Sequence, residues 1–314
     1  MASYKLLYLG YISDDITTSV EMFSYGILKE LNKLDIDLKI FNLTHYNLPD
    51  TSNSSDIEKC VNDIKEIGEI DFVLCHIYHS EVSLKIYKIL KEMTKYDVTV
   101  LIETPICGWA FDKYFLYFEQ NGYSIYKNKY KVYNSPILKE FYSKIEKEKK
   151  SILLDHRWQG HLGTYMEKSN EIIEWIEELS NEYKIYKLVR RDEKQSIQNW
   201  ITPIYHSTFQ DYLKKISDKE IFISTHYGSY NSTVIDMLGF GAKCIIPKIQ
   251  DKTFIPQYNI DLFNLPIFST KNELLDEIKK PFDYNLLNSQ IDKCTDIGDI
   301  IRDINEQFKQ KIRK

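Results

Sequence analysis

Short apolar runs recur along the chain, and stretches with helical spacing separate them. Residues 4–10 (YKLLYLG), 38–43 (LKIFNL), 71–77 (DFVLCHI) and 98–103 (VTVLIE) read as strands. Between them, a helix from about Thr18 to Leu34 carries Val20, Phe23, Ile27, Leu28 and Leu31 on one face. A second helix, capped by Asp56, runs through Ile67, and a third spans Ser80 to Tyr96. The aromatic stretch from Thr104 to Ser124 predicts helical turns over Phe111–Asn121. KYKVYNS gives another short strand, and PILKEFYSKIEKEKK a polar helix or linker.

A second series opens at SILLDHRWQG. Strand 151–155 leads to a helix near Tyr165–Leu179, strand 183–189, and a helix from about Thr208 to Ile216. The most informative stretch is EIFISTHYGSYNSTVIDMLGFGAKCIIPK, residues 220–248. It reads as strand Ile221–Ser224, a polar turn at His226, Gly228 and Ser229, a helix capped by Asn231 or Ser232, and strand Lys243–Ile246. Gly241 stands where a helix C-cap requires positive φ. A helix that starts in small polar residues offers free N–H groups and a positive dipole end to an anion. PIFST (266–270) predicts one more strand, 272–279 a helix, and about 296–311 a strongly amphipathic last helix.

Strands that alternate with helices predict parallel sheets. The expected fold class is therefore α/β, with two Rossmann-like doubly wound domains facing across a cleft. Residues 1–146 would form the first domain and 150–292 the second. The segment 293–314 would be a C-terminal helix. The charge run IEKEKK marks the boundary, near 146–150.

Composition narrows the class. The 314 residues are 43% hydrophobic and 28% charged with a net charge of −5, so the chain has no broad basic footprint for duplex DNA, and no stable nucleic-acid partner is expected. Its five cysteines are odd in number, widely spaced and without metal-ligand spacing, which predicts reduced thiols and a cytoplasmic chain. No apolar run reaches transmembrane length. Few of the 41 basic residues are Arg, yet Arg157, Arg190 and Arg191 fall in two strand-end loops. A guanidinium grips phosphate with a planar fork that Lys lacks.

Several motifs are missing. No GxGxxG opens a helix and no GxxxxGK[ST] occurs, which argues against nicotinamide, flavin and P-loop chemistry. HYGSYN is not a hydrolase elbow. Asp35 and Asp37 copy a DxD spacing but sit at a helix-to-strand turn, so no metal is expected.

The layout resembles the GT-B fold glycosyltransferases of bacterial type, and STVIDMLGFGAKCIIP is similar to their donor segment. That resemblance implies a diphosphate at Ser232 and Thr233, and a nucleotide ribose at Asp236, where the family usually carries Glu. It also brings His156 or Arg157, and Arg190 or Arg191, to the phosphates or base. His226, Ser229 and Asn231 complete the donor-binding set. It further implies a metal-independent hexosyl transfer from a nucleotide-diphosphate sugar to a hydroxyl acceptor, with no separate cofactor, 1–146 being the acceptor-side domain, 150–292 the nucleotide-sugar-binding domain, and the helix in 293–314 packing back on the first. Charge on the leaving diphosphate would be met by helix N–H groups and cationic side chains. Deprotonating the acceptor needs a base, for which Asp14 or Asp15, then Glu103, then His76 are the candidates. A nucleotide-sugar epimerase and a non-catalytic nucleotide-sugar-binding protein are the alternatives. The acceptor and oligomeric state stay open.

Overall fold

The structure is a computed structural model; it describes residues 4–13, 16, 19–46, 54–77, 80–102, 116–119, 131–134, 137–143, 145–155, 163–189, 197–225, 232–248 and 263–314. The chain forms two compact units: Met1–Leu138 with Thr295–Lys314, and Lys139–Cys294. The chain passes from unit 1 to unit 2 a few residues ahead of the 146–150 charge run.

Unit 1 is built on strands β1 (Lys5–Gly10), β2 (Asp37–Asn42), β3 (Ile70–Ile77), β4 (Thr94–Ile102), β5 (Leu116–Glu119) and β6 (Lys131–Asn134). They pair in parallel in the order β2-β1-β3-β4-β5-β6. Helices α1 (Ser19–Leu31), α2 (Ser54–Lys65) and α3 (Ser80–Met93) make the crossovers. A core of Leu7, Leu9, Val73, Cys75 and Val100 packs against Cys60, Ile64, Ile86 and Leu90 of α2 and α3.

Three expectations need correction here. Asp56 lies in the first turn of α2, which starts at Ser54, so it complements the helix dipole rather than capping it. Thr94–Tyr96 belong to β4, not to the preceding helix; their polar character hid the start of the strand. The helical turns expected over Phe111–Asn121 give way at Leu116–Glu119 to β5, which is paired on both sides.

Unit 2 contains β7 (Glu148–Leu154), α4 (Gly163–Ile176), β8 (Lys184–Leu188), β9 (Ile201–Ile204), α5 (Phe209–Ile216), β10 (Lys219–Ile223), α6 (Ser232–Gly239), β11 (Lys243–Pro247), β12 (Ile267–Phe268), α7 (Lys271–Lys279) and α8 (Tyr284–Ser289). Its parallel sheet has the order β12-β11-β10-β7-β8-β9. This is the strand order of dinucleotide-binding Rossmann sheets, two halves wound outward from the centre. The centre is the β7–β10 pair, in register at Ile152–Ile221 and Leu154–Ile223. β9 and α8 were not foreseen. Pro203 in ITPI argues against an interior strand, and β9 lies at the sheet edge, where proline is tolerated. Gly241 has φ +74, as expected, and closes α6 with Gly241 N–H to Leu238 and Ala242 N–H to Met237.

The last helix, α9 (Ile297–Arg313), buries Ile297, Ile300, Ile301, Ile304 and Phe308 in unit 1. Phe308 stacks on Phe72 with centroids 4.2 Å apart, and Tyr4 donates to Asn305 Oδ1 at 2.7 Å. Among the described residues no helix is long and apolar enough to cross a membrane.

Candidate functional site

The centre of the unit 2 sheet places two chain ends side by side. β7 ends at Leu154 and is followed by Asp155; β10 ends at Ile223 and is followed by Ser224 and Thr225. Asp155 is fully buried. Its Oδ2 accepts from Ser224 Oγ at 2.9 Å. Its Oδ1 accepts from the Thr225 amide at 2.9 Å and from Thr225 Oγ1 at 2.5 Å. A buried carboxylate needs such donors, because desolvation would otherwise neutralise it.

Further along the chain, α6 starts at Ser232, as the small polar residues predicted. Thr233 and Asp236 are both buried at 4% exposure. Asp236 Oδ1 accepts from the Tyr142 hydroxyl at 2.6 Å, and Oδ2 from the Tyr212 hydroxyl at 2.8 Å. The Tyr212 phenol also hydrogen-bonds Thr233 and lies within the field of Asp155. Burial raises the Asp236 pKa from 3.8 to about 6, against the pull of the two phenols, which favour its charged form. Burial and the Asp236 charge push both phenols well above the usual tyrosine range. Asp236, expected to meet a ribose, thus has both oxygens occupied by tyrosines and little surface of its own.

His76 ends β3 beside β1, at the point where the unit 1 sheet reverses its winding. It is fully buried, with Nδ1 3.0 Å from Ser24 Oγ and its ring edge-on to Tyr11 and Phe23. Ser24 Oγ also accepts from the Tyr11 amide at 3.0 Å.

The remaining site expectations, Asp14, Asp15, Glu103, His156, Arg157, Arg190, Arg191, His226, Ser229 and Asn231, lie outside the described residues. Asp35 and Asp37 are exposed, and no group of three or more metal-ligating side chains occurs among the described residues. The four described cysteines are free and buried, with the Cys60 and Cys294 thiols pushed up to about 12 by burial.

Sequence reasoning missed Asp155, Tyr142 and Tyr212. Asp155 had a usable signal: an acid directly after an apolar strand, opposite a Ser-Thr pair ending another. The tyrosines had none, since 94 residues separate Tyr142 from Asp236.

Two parallel-sheet α/β units are the architecture of the GT-B fold class. Solved structures carry the same architecture. HepE of Anabaena, in complex with UDP and glucose, is 10% identical, with 98% of this chain and 100% of that chain covered at a TM-score of 0.58. UDP-GlcNAc 2-epimerase of Methanocaldococcus jannaschii, in complex with UDP-GlcNAc and UDP, is 13% identical, with 96% and 99% covered at 0.58. Trehalose 6-phosphate synthase of Burkholderia multivorans is 7% identical, with 98% and 96% covered at 0.61. No family model matches the chain, and neither does any curated protein. At these identities the likeness is one of fold.

Proposed function

We propose that unit 2 binds a nucleotide-diphosphate sugar, with its diphosphate at the start of α6, and that the protein is a metal-independent glycosyltransferase acting on a hydroxyl acceptor. One observation carries the reading. The strand order puts the β10-to-α6 turn at the centre of the sheet, where ligands of such sheets collect. The N–H groups of a helix start there suit a leaving pyrophosphate, which they would receive without reorganising.

Arg157, Arg190 and Arg191 are the cations we assign to the phosphates, since guanidinium forks match phosphate oxygens. Asp14, Asp15 and Glu103 are the first residues to substitute for an acceptor base, ahead of the packed His76. The acceptor class is a surface glycan, a protein or a small molecule. Similar structures that bind UDP support the donor class.

An epimerase of nucleotide sugars is the second reading, because UDP-GlcNAc 2-epimerases are among the similar structures. A thermal-shift screen of nucleotide sugars tests the donor class: a ligand at about a hundredfold above its Kd adds about 2.7 kcal/mol of stability. Product analysis of the bound donor then separates the readings. Epimerised donor without acceptor indicates an epimerase, and donor bound but never consumed indicates a binding protein. Replacing Arg157, Arg190 and Arg191 together by Ala is expected to abolish the shift; an unchanged shift removes them from the site.

A further inference from the structure

We propose that a cavity at the amino end of the unit 2 sheet is a binding site for a small aromatic monocarboxylate, with Lys147 as its cation. The cavity measures about 310 Å³, at the small end of ligand-sized sites. Lys147 stands just before β7 and Glu220 near the start of β10, whereas Asp155 and Thr225 follow the other ends of these strands. The site is therefore separate from the donor reading and does not depend on it.

The local backbone is built for a recess. β7 advances from Glu148 to Ile152 while β10, opposite, advances only from Lys219 to Ile221. The excess is a bulge, in which Lys150 takes φ 58 and gives its amide to Glu220 Oε2 at 2.7 Å. Bulges re-aim neighbouring side chains, and Lys149 of this one lines the cavity.

Lys147 is half-buried, and its ammonium has one hydrogen bond, to the Ser217 carbonyl at 2.6 Å. Its Nζ lies 5.8 Å from the centroid of the Phe240 ring. Among the described residues neither Lys147 nor Lys149 forms an ion pair. A sheltered ammonium with donors to spare lacks a counter-charge. Burial lowers its pKa to about 8, against the fields of Cys244 and Asp218.

The walls select the anion. Glu146 and Glu220 also line the cavity, so a dianion meets more repulsion there than a monoanion. The Glu220 oxygens already face the Lys150 amide and, at 3.4 Å, the Tyr284 hydroxyl. Phe240, Ile145 and Tyr284 offer apolar surface, two of them as rings, to an aromatic body.

The test titrates benzoate into the full chain by calorimetry, with benzamide as its uncharged analogue and inorganic phosphate as the dianion. Benzoate is expected to bind at least about tenfold more tightly than either, and Lys147→Met to weaken it by about tenfold or more. An anion beside Lys147 raises its pKa. Binding should therefore take up as much as about half a proton near pH 8, where the free amine is partly neutral, and almost none near pH 6, where it is already charged. The charged groups around it are Glu146, Lys149, Asp218 and Glu220, while burial holds the Cys244 thiol and the Tyr284 phenol protonated.

No benzoate binding at about millimolar concentration overturns the proposal. So does benzamide or phosphate bound as tightly as benzoate, or parent-like benzoate affinity in Lys147→Met. Should Lys147→Met not fold, the parent decides by itself, and benzoate binding without proton uptake near pH 8 refutes the site.

Discussion

Removing the Tyr212 hydroxyl should destabilise unit 2 more at high pH than at low. Asp236 is buried, and burial raises its pKa from 3.8 to about 6. At 1.36 kcal/mol per pH unit, keeping it ionised costs the folded chain about 3 kcal/mol relative to the unfolded one. The folded state holds its proton longer than the unfolded state does, so this group makes stability fall as pH rises from about 4 through about 6. Above that window the two phenols donate to an Asp236 carboxylate that carries a full negative charge. Losing one bond to a charged acceptor costs about 1.5–3 kcal/mol, against about 0.5–1.5 for a neutral one.

Tyr212→Phe should therefore cost roughly 1 kcal/mol more at about pH 8 than at about pH 5. Asp236→Asn should flatten the wild-type slope between those values, and in its background Tyr212→Phe should cost the same at both. Native-state hydrogen exchange of the β10 amides reports unit 2 on its own. A Tyr212→Phe cost independent of pH in the wild-type background, or strict additivity of the two substitutions, refutes the argument that Asp236 is ionised between these tyrosines.

Other expectations follow from packing and charge. Phe308→Ala removes a ring that is 2% exposed and stacked on Phe72; it should cost unit 1 about 3–5 kcal/mol, read by urea unfolding with exchange at β1. Gly239→Ala would set a Cβ 2.5 Å from the Tyr142 ring, which Asp236 holds in place, so it should lose about 1–3 kcal/mol by the same measurement on β10. Glu148 loses hydration to burial, yet bonds from Lys184, Lys219 and Tyr186 hold its pKa down at about 2. Its contribution is thus present above the ordinary carboxylate range and lost as pH falls toward about 2, and Glu148→Gln should weaken the acid dependence of unit 2 unfolding.

The fold was legible where pattern and environment agree. β1, β3, β10 and β11 are apolar runs buried on both faces, and α1, α5 and α7 keep one apolar stripe. Reading failed where a strand breaks that pattern. β4 begins in Thr94, Lys95 and Tyr96, and β9 contains a proline that only an edge strand accepts. Ser232 and Thr233 could be placed at a helix start from the sequence because such a start has a local signature. The partners of Asp236 could not, because they come from α5 and from the segment around Tyr142. Long-range polar contacts leave no periodic trace in a sequence.

The most direct measurement is a crystal structure of the full chain grown with UDP. The expected result is the pyrophosphate within hydrogen-bonding distance of the Ser232 and Thr233 amides, with Thr225 still held by Asp155. Pyrophosphate bound elsewhere on the chain, with the start of α6 closed by protein atoms, would contradict a donor site at this helix.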